Sequence, residues 1–318
     1  MTDASNTTGA VVFWLYIAAA LYLTSTVLHS IFAAPKRNAI SRTQINVFSF
    51  LSAISFATLS YNMLSALILS YRTWARANDV ALVPLRLWEW SVSSTLFQDF
   101  GEAIVADAAR WAWTSSALGA TLGLAVFVGV DGRRANVPAL WAFFCLGQIL
   151  PISFIQNLFY LALLRQPRSE SETSRPTLSS ATQRTFSQPW VWHTCALCFA
   201  ACLALARWIG QGQRLIVVIL AARLLLFAPL FIPLTDGDRG ATGSLQWTLS
   251  LYHIGPQLGY LVQACIQHGV GGVLRAVHSH PAVSALGYDL VISVFSSIAW
   301  MYFGPTGNPQ EILHTKSG

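Results

Sequence analysis

Residues 215–234 read LIVVILAARLLLFAPLFIPL, an apolar run with one charge, Arg223, near its middle. A run of about 20 such residues is the length a helix needs to cross the hydrocarbon of a bilayer. A guanidinium cannot lie against lipid tails without a partner, so this helix must turn Arg223 toward a polar interior built by other helices. The stretch therefore points to a membrane-embedded bundle.

The same kind of run recurs at 11–31, 45–71, 111–130, 140–164, 190–208, 245–267 and 283–303. The expected fold class is all-α, a polytopic transmembrane helical bundle of about eight spans, seven at the least. Composition agrees: of 318 residues, 54% are hydrophobic and only 10% charged, with mean hydropathy +0.52. Soluble chains carry about 25% charged residues. The first run has no basic residue before it and is too long for a signal-peptide core, so it reads as a retained helix. Trp14, Trp111, Trp113, Trp141, Trp190, Trp192, Trp208, Trp247 and Trp300 fall mostly near run ends, where indoles favour the headgroup layer.

Basic residues fall on both sides of any alternating arrangement, so the positive-inside rule sets no orientation. A net charge of +6 spread over short loops has no clustered stripe of the kind nucleic acid requires. The five cysteines all lie inside runs, which disfavours a disulfide framework or a zinc site. Cys195, Cys198 and Cys202 are spaced three and four apart, one face of a helix suited to packing on a neighbour.

Two connections stand out. Residues 165–188 (RQPRSESETSRPTLSSATQRTFSQ) have the composition of a flexible hydrophilic loop between two four-helix halves of a single integral-membrane domain. Residues 72–110 instead interleave Leu87, Trp88, Trp90, Leu96, Phe97 and Phe100 with Glu89, Asp99, Glu102 and Asp107. This composition predicts an acidic and aromatic helix on the membrane surface before the third span. Thr95 and Gln98 have capping-box spacing, so the helix should start near Leu96 and run on into that span. Leu96, Phe100, Ile104 and Ala108 share one side and Asp99 with Glu102 the other. Asp107 and Arg110 are spaced to pair.

In run 245–267, His253, Gln257, Tyr260, Gln263 and Gln267 recur at three and four. That hydrogen-bonding face should line the interior, near Gln156, Asn157 and Tyr160. Pro151, Pro229, Pro233 and Pro256 should kink their spans. His29, His193 and His253 read as interior hydrogen bonders.

Three acids are candidates for chemistry. Asp289 lies about two turns inside the last run: it is either held structurally, by Arg223 or by a hydrogen bond to a neighbouring span, or kept as a protonated donor in a dry cavity. Asp99 and Glu102, one turn apart, either form a solvated face or close over the mouth of the bundle, where a carboxyl group can donate a proton. No aspartate-rich metal cluster, P-loop, GxSxG or HExxH occurs, so magnesium-dependent ionisation, nucleotide hydrolysis and serine hydrolysis lack their usual residues.

Residues 87–128, LWEWSVSSTLFQDFGEAIVADAARWAWTSSALGATLGLAVFV, resemble the region after the second span in fungal integral-membrane terpene cyclases of meroterpenoid biosynthesis, the ascochlorin and ascofuranone type. Residues 288–300, YDLVISVFSSIAW, resemble the last helix of that group, with its early acid. The resemblance implies a metal-independent cyclase with no cofactor, acting on a lipophilic prenylated aromatic or pyrone substrate supplied by an upstream epoxidase. One of Asp99, Glu102 and Asp289 would protonate the epoxide of an epoxyfarnesyl-type chain. Trp88, Trp90, Phe97 and Tyr260 would face the cation, with Gln156, Arg223, His253 and Gln257 completing the substrate site. The resemblance also implies the endoplasmic reticulum membrane. A transporter or channel is the rival reading, because Arg223, Asp289 and the Gln/Tyr row would equally line a permeation path.

Overall fold

A computed structural model describes residues 7–33, 41–81, 86–93, 96–166, 189–232 and 238–304, with backbone alone at residues 8, 96, 97, 189–192 and 238–256. Every regular element among them is helical: α1 (Thr7–Ala33), α2 (Arg42–Ala77), α3 (Leu87–Ser93), α4 (Leu96–Val105), α5 (Ala108–Arg134), α6 (Leu140–Gly147), α7 (Ile152–Arg165), α8 (Pro189–Ile209), α9 (Gln213–Leu225), α10 (Ala228–Phe231), α11 (Asp238–Ala276) and α12 (Pro281–Phe303).

Five stretches within these helices, Gly9–Ala33, Arg42–Ala77, Ala108–Arg134, Gln213–Phe231 and Pro281–Phe303, are long and apolar enough to cross a membrane. The shorter apolar helices Ile152–Arg165 and His193–Ile209 accompany them. The outer surface matches that solvent: Leu21, Tyr61, Trp208, Leu224, Ile266 and Met301 are all strongly exposed. A water-soluble protein would not carry so continuous an apolar exterior. The chain is an integral membrane protein.

The centre belongs to α7, in which every residue from Ile152 to Ala162 is buried. A helix buried on every side belongs inside a bundle, and its polar Ser153, Gln156 and Asn157 find partners on α12. Around it stand α1, α2, α5, α6 and α12, while α8, α9 and α11 complete the far side. Phe48 of α2, Tyr160 of α7 and Trp300 of α12 form an aromatic joint, with Tyr160 and Trp300 stacked at 4.2 Å and 6°. Where α5 meets α10, Gly129 lets Pro229 approach, since an added Cβ would fall 2.9 Å from the Pro229 carbonyl oxygen.

Several expectations are corrected. Run 140–164 is two helices, because Pro151 ends the hydrogen-bond ladder and opens a break at residues 148–151. The α4 helix does begin at Leu96 but does not run into α5. Asp107 intervenes, its side chain accepting from Arg110 N–H at 2.9 Å as the N-cap of α5 and pairing with Arg110 Nε at 3.1 Å. Nor does α4 lie flat on the surface: Gly101, Ile104 and Val105 are buried, and the helix packs on α5, α9 and α12.

Trp111, expected at the interface, is only 1% exposed, because α11 covers the start of α5. His29 is exposed rather than an interior bonder. The packing stripe of α8 is Ala196, Phe199, Leu203 and Ala206, which leaves Cys198 exposed and Cys195 and Cys202 half-buried. Thr95, Pro233 and residues 167–188 of the loop expected between the halves lie outside the described residues, as do the side chains of Trp190, Trp192, Trp247 and Pro256.

Candidate functional site

Asp289, Glu102, Asp107 and the interior arginines sit at helix ends with the sign the helix dipole favours, acids at N-termini and arginines at C-termini, while Asp131 in the last turn of α5 runs against that pattern. The break between α6 and α7 shows the pattern most fully. On its α7 side, Ile152 N–H donates to Asp289 Oδ2 at 2.8 Å, while Ser153 donates to Oδ1 from both its N–H (2.8 Å) and its hydroxyl (2.5 Å). On its α6 side, Arg223 Nη1 donates to the Gln148 carbonyl and the Tyr16 hydroxyl to the Ile149 carbonyl. Three other helices thus satisfy the backbone groups that Pro151 frees, as a break at membrane depth requires. Of the two structural readings of Asp289, the hydrogen bond to a neighbouring span is the one formed. Arg223 goes to a carbonyl instead.

Four more arginines act alike. Arg165 Nη1 donates to Ile31 O of α1, Arg207 Nη1 to Val105 O of α4, Arg110 Nη1 to Ala103 O of α4, and Arg133 Nη1 to Ile232 O beyond α10.

Glu102 caps α9 from outside. Gly212, at φ 81° and with no side chain to offer, donates its N–H to Glu102 Oε1 at 2.9 Å, and Gln98 Nε2 donates to the same oxygen at 2.8 Å. Among the described residues Oε2 receives no hydrogen bond. That sets Glu102 apart from Asp289 and Asp107, both of whose oxygens are engaged. Asp99, one turn before Glu102 on α4, is exposed. The two acids expected to act together therefore face different surroundings: Glu102 is half-buried against the α8–α9 turn.

The expected aromatic and polar wall is rearranged. Trp90 is buried at 3% exposure among α1, α2 and α3, its Nε1 donating to Ser70 Oγ at 3.3 Å and its ring edge-on to Tyr71 and Phe13. Trp88, at 53% exposure, faces outward. Gln156 is buried but turned to α12: Nε2 donates to Tyr160 Oη and Ser297 Oγ, both at 2.8 Å, and Oε1 accepts from Ser293 Oγ at 2.5 Å. Asn157 likewise donates to Ser296 Oγ at 2.8 Å. No hydrogen bond or ring contact joins them to the described part of the α11 row.

That row is shorter than its spacing implies. Gln257 Nε2 donates to Ser115 O at 3.1 Å over Gly119, and the Tyr260 ring meets Trp111 edge-on at 5.8 Å. Gln263 and Gln267 are exposed, because the closest approach of α11 to α5 runs through Ala264, Val273 and Ala276. The side chains of His253 and Phe97 lie outside the described residues.

Sequence reasoning passed over Trp111, Tyr16, Ser153 and Gln148. Trp111 carries an indole N–H that is buried and has no acceptor among the described residues, a group that costs free energy unless something supplies one. Gly147 and Pro151, flanking Gln148, were the signal for the break; nothing in the sequence marked Tyr16. Comparison with protein-family models, curated proteins and solved structures finds no match.

Proposed function

We propose that this chain is a membrane-bound terpene cyclase that protonates the epoxide of an epoxyfarnesyl-type meroterpenoid and cyclises its polyene without a metal. Two segments support the reading by resemblance, residues 87–128 and 288–300. The observation that carries the assignment of the acid is Glu102: one oxygen is fixed by Gln98 and Gly212 while the other receives no donor among the described residues.

In this reading the Glu102 proton passes to the epoxide oxygen, and the C–O bond to the tertiary carbon breaks. The nearest alkene supplies its π pair to the resulting cation, ring closure follows, and loss of one proton gives a product isomeric with the substrate. Tyr260, half-buried and edge-on to Trp111, offers its ring to the guest. Asp289 acts at a distance, by holding the α6–α7 break. Gln156, Asn157 and the α12 serines bond to one another, which leaves little for a permeating solute and disfavours a transporter. The proposed location is the endoplasmic reticulum membrane, with an epoxidising enzyme upstream.

The test is conversion of a synthetic epoxyfarnesyl arene by microsomes containing the chain, with chelator present. A product of unchanged mass and shifted retention is expected, lost in Glu102→Gln and retained in Asp99→Asn. No conversion, together with solute flux into proteoliposomes, would replace this reading with transport.

A further inference from the structure

At the end of the bundle where α5 and α12 begin, a cavity of about 300 Å³ opens between the start of α5 and the last turns of α11. Its walls carry Arg110, Arg275, His268 and Ser279, with Asp107 the one acid. Asp107 is occupied as the α5 cap and as the Arg110 partner, so the pair is neutral and Arg275 contributes net positive charge. Arg275 spends only Nε within its own helix, on Gly271 O at 3.1 Å. Its two terminal nitrogens have no partner among the described residues. Gly272 keeps the floor low, since a Cβ there would come within 2.9 Å of His268 Cβ.

The surface beside the cavity is apolar. Val270 and Leu274, four apart on the part of α11 that follows its break at Gly269, are 66% and 58% exposed and share one face there. A basic recess beside such an apolar face has the two-part chemistry of an acidic phospholipid, with the phosphodiester between guanidinium groups and an acyl chain on that face. We propose that this cavity binds the headgroup of an acidic phospholipid. Arg275 and Arg110 hold the phosphodiester, Ser279 and His268 contact its substituent, and Val270 and Leu274 carry the chain. The proposal does not depend on the proposed catalysis.

The experiment uses the full chain in maltoside detergent, with added phosphatidylinositol, phosphatidylcholine or inorganic phosphate as probes, read by native mass spectrometry and by thermal midpoint. Phosphatidylinositol should be retained and should raise the midpoint, with phosphatidylcholine well behind. Arg275→Gln should weaken retention roughly fivefold, as removal of one surface cation near a phosphate does, and Arg275→Glu should weaken it further. Arg275 is exposed and makes only the one intrahelical bond, so both variants should fold. Equal retention by wild type and Arg275→Glu, equal protection by phosphatidylcholine, or protection by inorganic phosphate at matching concentration would each overturn the proposal.

Discussion

Ser153 gives Asp289 Oδ1 two hydrogen bonds at once, from its backbone N–H at 2.8 Å and from its hydroxyl at 2.5 Å. An acid of α12 thereby serves as the N-terminal cap of α7, a helix whose own N-cap residue, Pro151, has no side chain able to do so. Arg223 closes the other side of the same break. The membrane interior makes such caps obligatory, because no water reaches freed N–H and C=O groups there.

If capping is the role of Asp289, its removal should appear first as lost stability. Asp289→Ala strands two buried N–H groups and a hydroxyl and should cost about 3–5 kcal/mol. Ser153→Ala leaves both backbone donors in place and should cost about 1–3 kcal/mol. Thermal midpoints in detergent would rank them. An Asp289→Ala protein with the wild-type midpoint but no cyclisation would instead mark Asp289 as the reacting acid.

Gly129 and Gly123 lie on one helix with opposite surroundings, which gives a paired test of the α5–α10 contact. At Gly129 a methyl group meets Pro229 Cβ at 2.8 Å and the Pro229 carbonyl oxygen at 2.9 Å, so α10 must retreat. Gly129→Ala should destabilise by about 1–3 kcal/mol. At Gly123 an added Cβ has nothing within 4 Å. Gly123→Ala should leave stability unchanged or raise it by up to about 1 kcal/mol through helix propensity. Unfolding measurements on the two variants check the sign.

Much of this architecture was legible in the chain, because lipid-length apolar runs and the Asp107–Arg110 spacing depend only on local sequence. The start of α4 at Leu96 was legible for the same reason. What escaped was pairing across the bundle. Arg223 and Asp289 look like partners when each is a lone charge in an apolar run, but the break at Pro151 offers each a better neighbour of the right polarity. The α11 row misled in another way. Its three- and four-residue spacing marks a face, yet Ala264, Val273 and Ala276 let α5 approach along a neighbouring line. Gly269, at φ 68°, breaks the helix beyond it. Trp111 lies at the end of an apolar run, where an indole reads as interfacial, and only the position of α11 shows it buried.

Tyr16 and Arg223 cap adjacent carbonyls of one break, Ile149 and Gln148, so their losses should not add. Tyr16→Phe should cost about 1 kcal/mol and Arg223→Ala about 2–3 kcal/mol. The double variant should fall short of the sum by at least about 0.5 kcal/mol, since once one carbonyl is freed the break can relax. A double-mutant cycle on thermal unfolding in one detergent measures this coupling, and strict additivity would mean that the two caps serve independent segments.

His280 supplies a pH dependence from outside the spans. As N-cap of α12 its Nδ1 accepts from Ala282 N–H at 3.1 Å, which requires that nitrogen to be unprotonated. Burial, and secondarily the Arg110 charge, hold its pKa below the ordinary 6.5. The unfolded chain therefore binds the proton more readily than the folded one, and stability rises with pH across the window between the depressed folded value and 6.5. The contribution is fully present above that window and is lost as pH falls through the folded value. Between about pH 7.5 and 5 the thermal midpoint should drop, by an amount bounded by the loss of one cap, about 0.5–2 kcal/mol. His280→Asn keeps a capping oxygen without a titrating group and should flatten that part of the profile while leaving the neutral-pH midpoint nearly unchanged. An unaltered slope in His280→Asn would assign the acid sensitivity to another group.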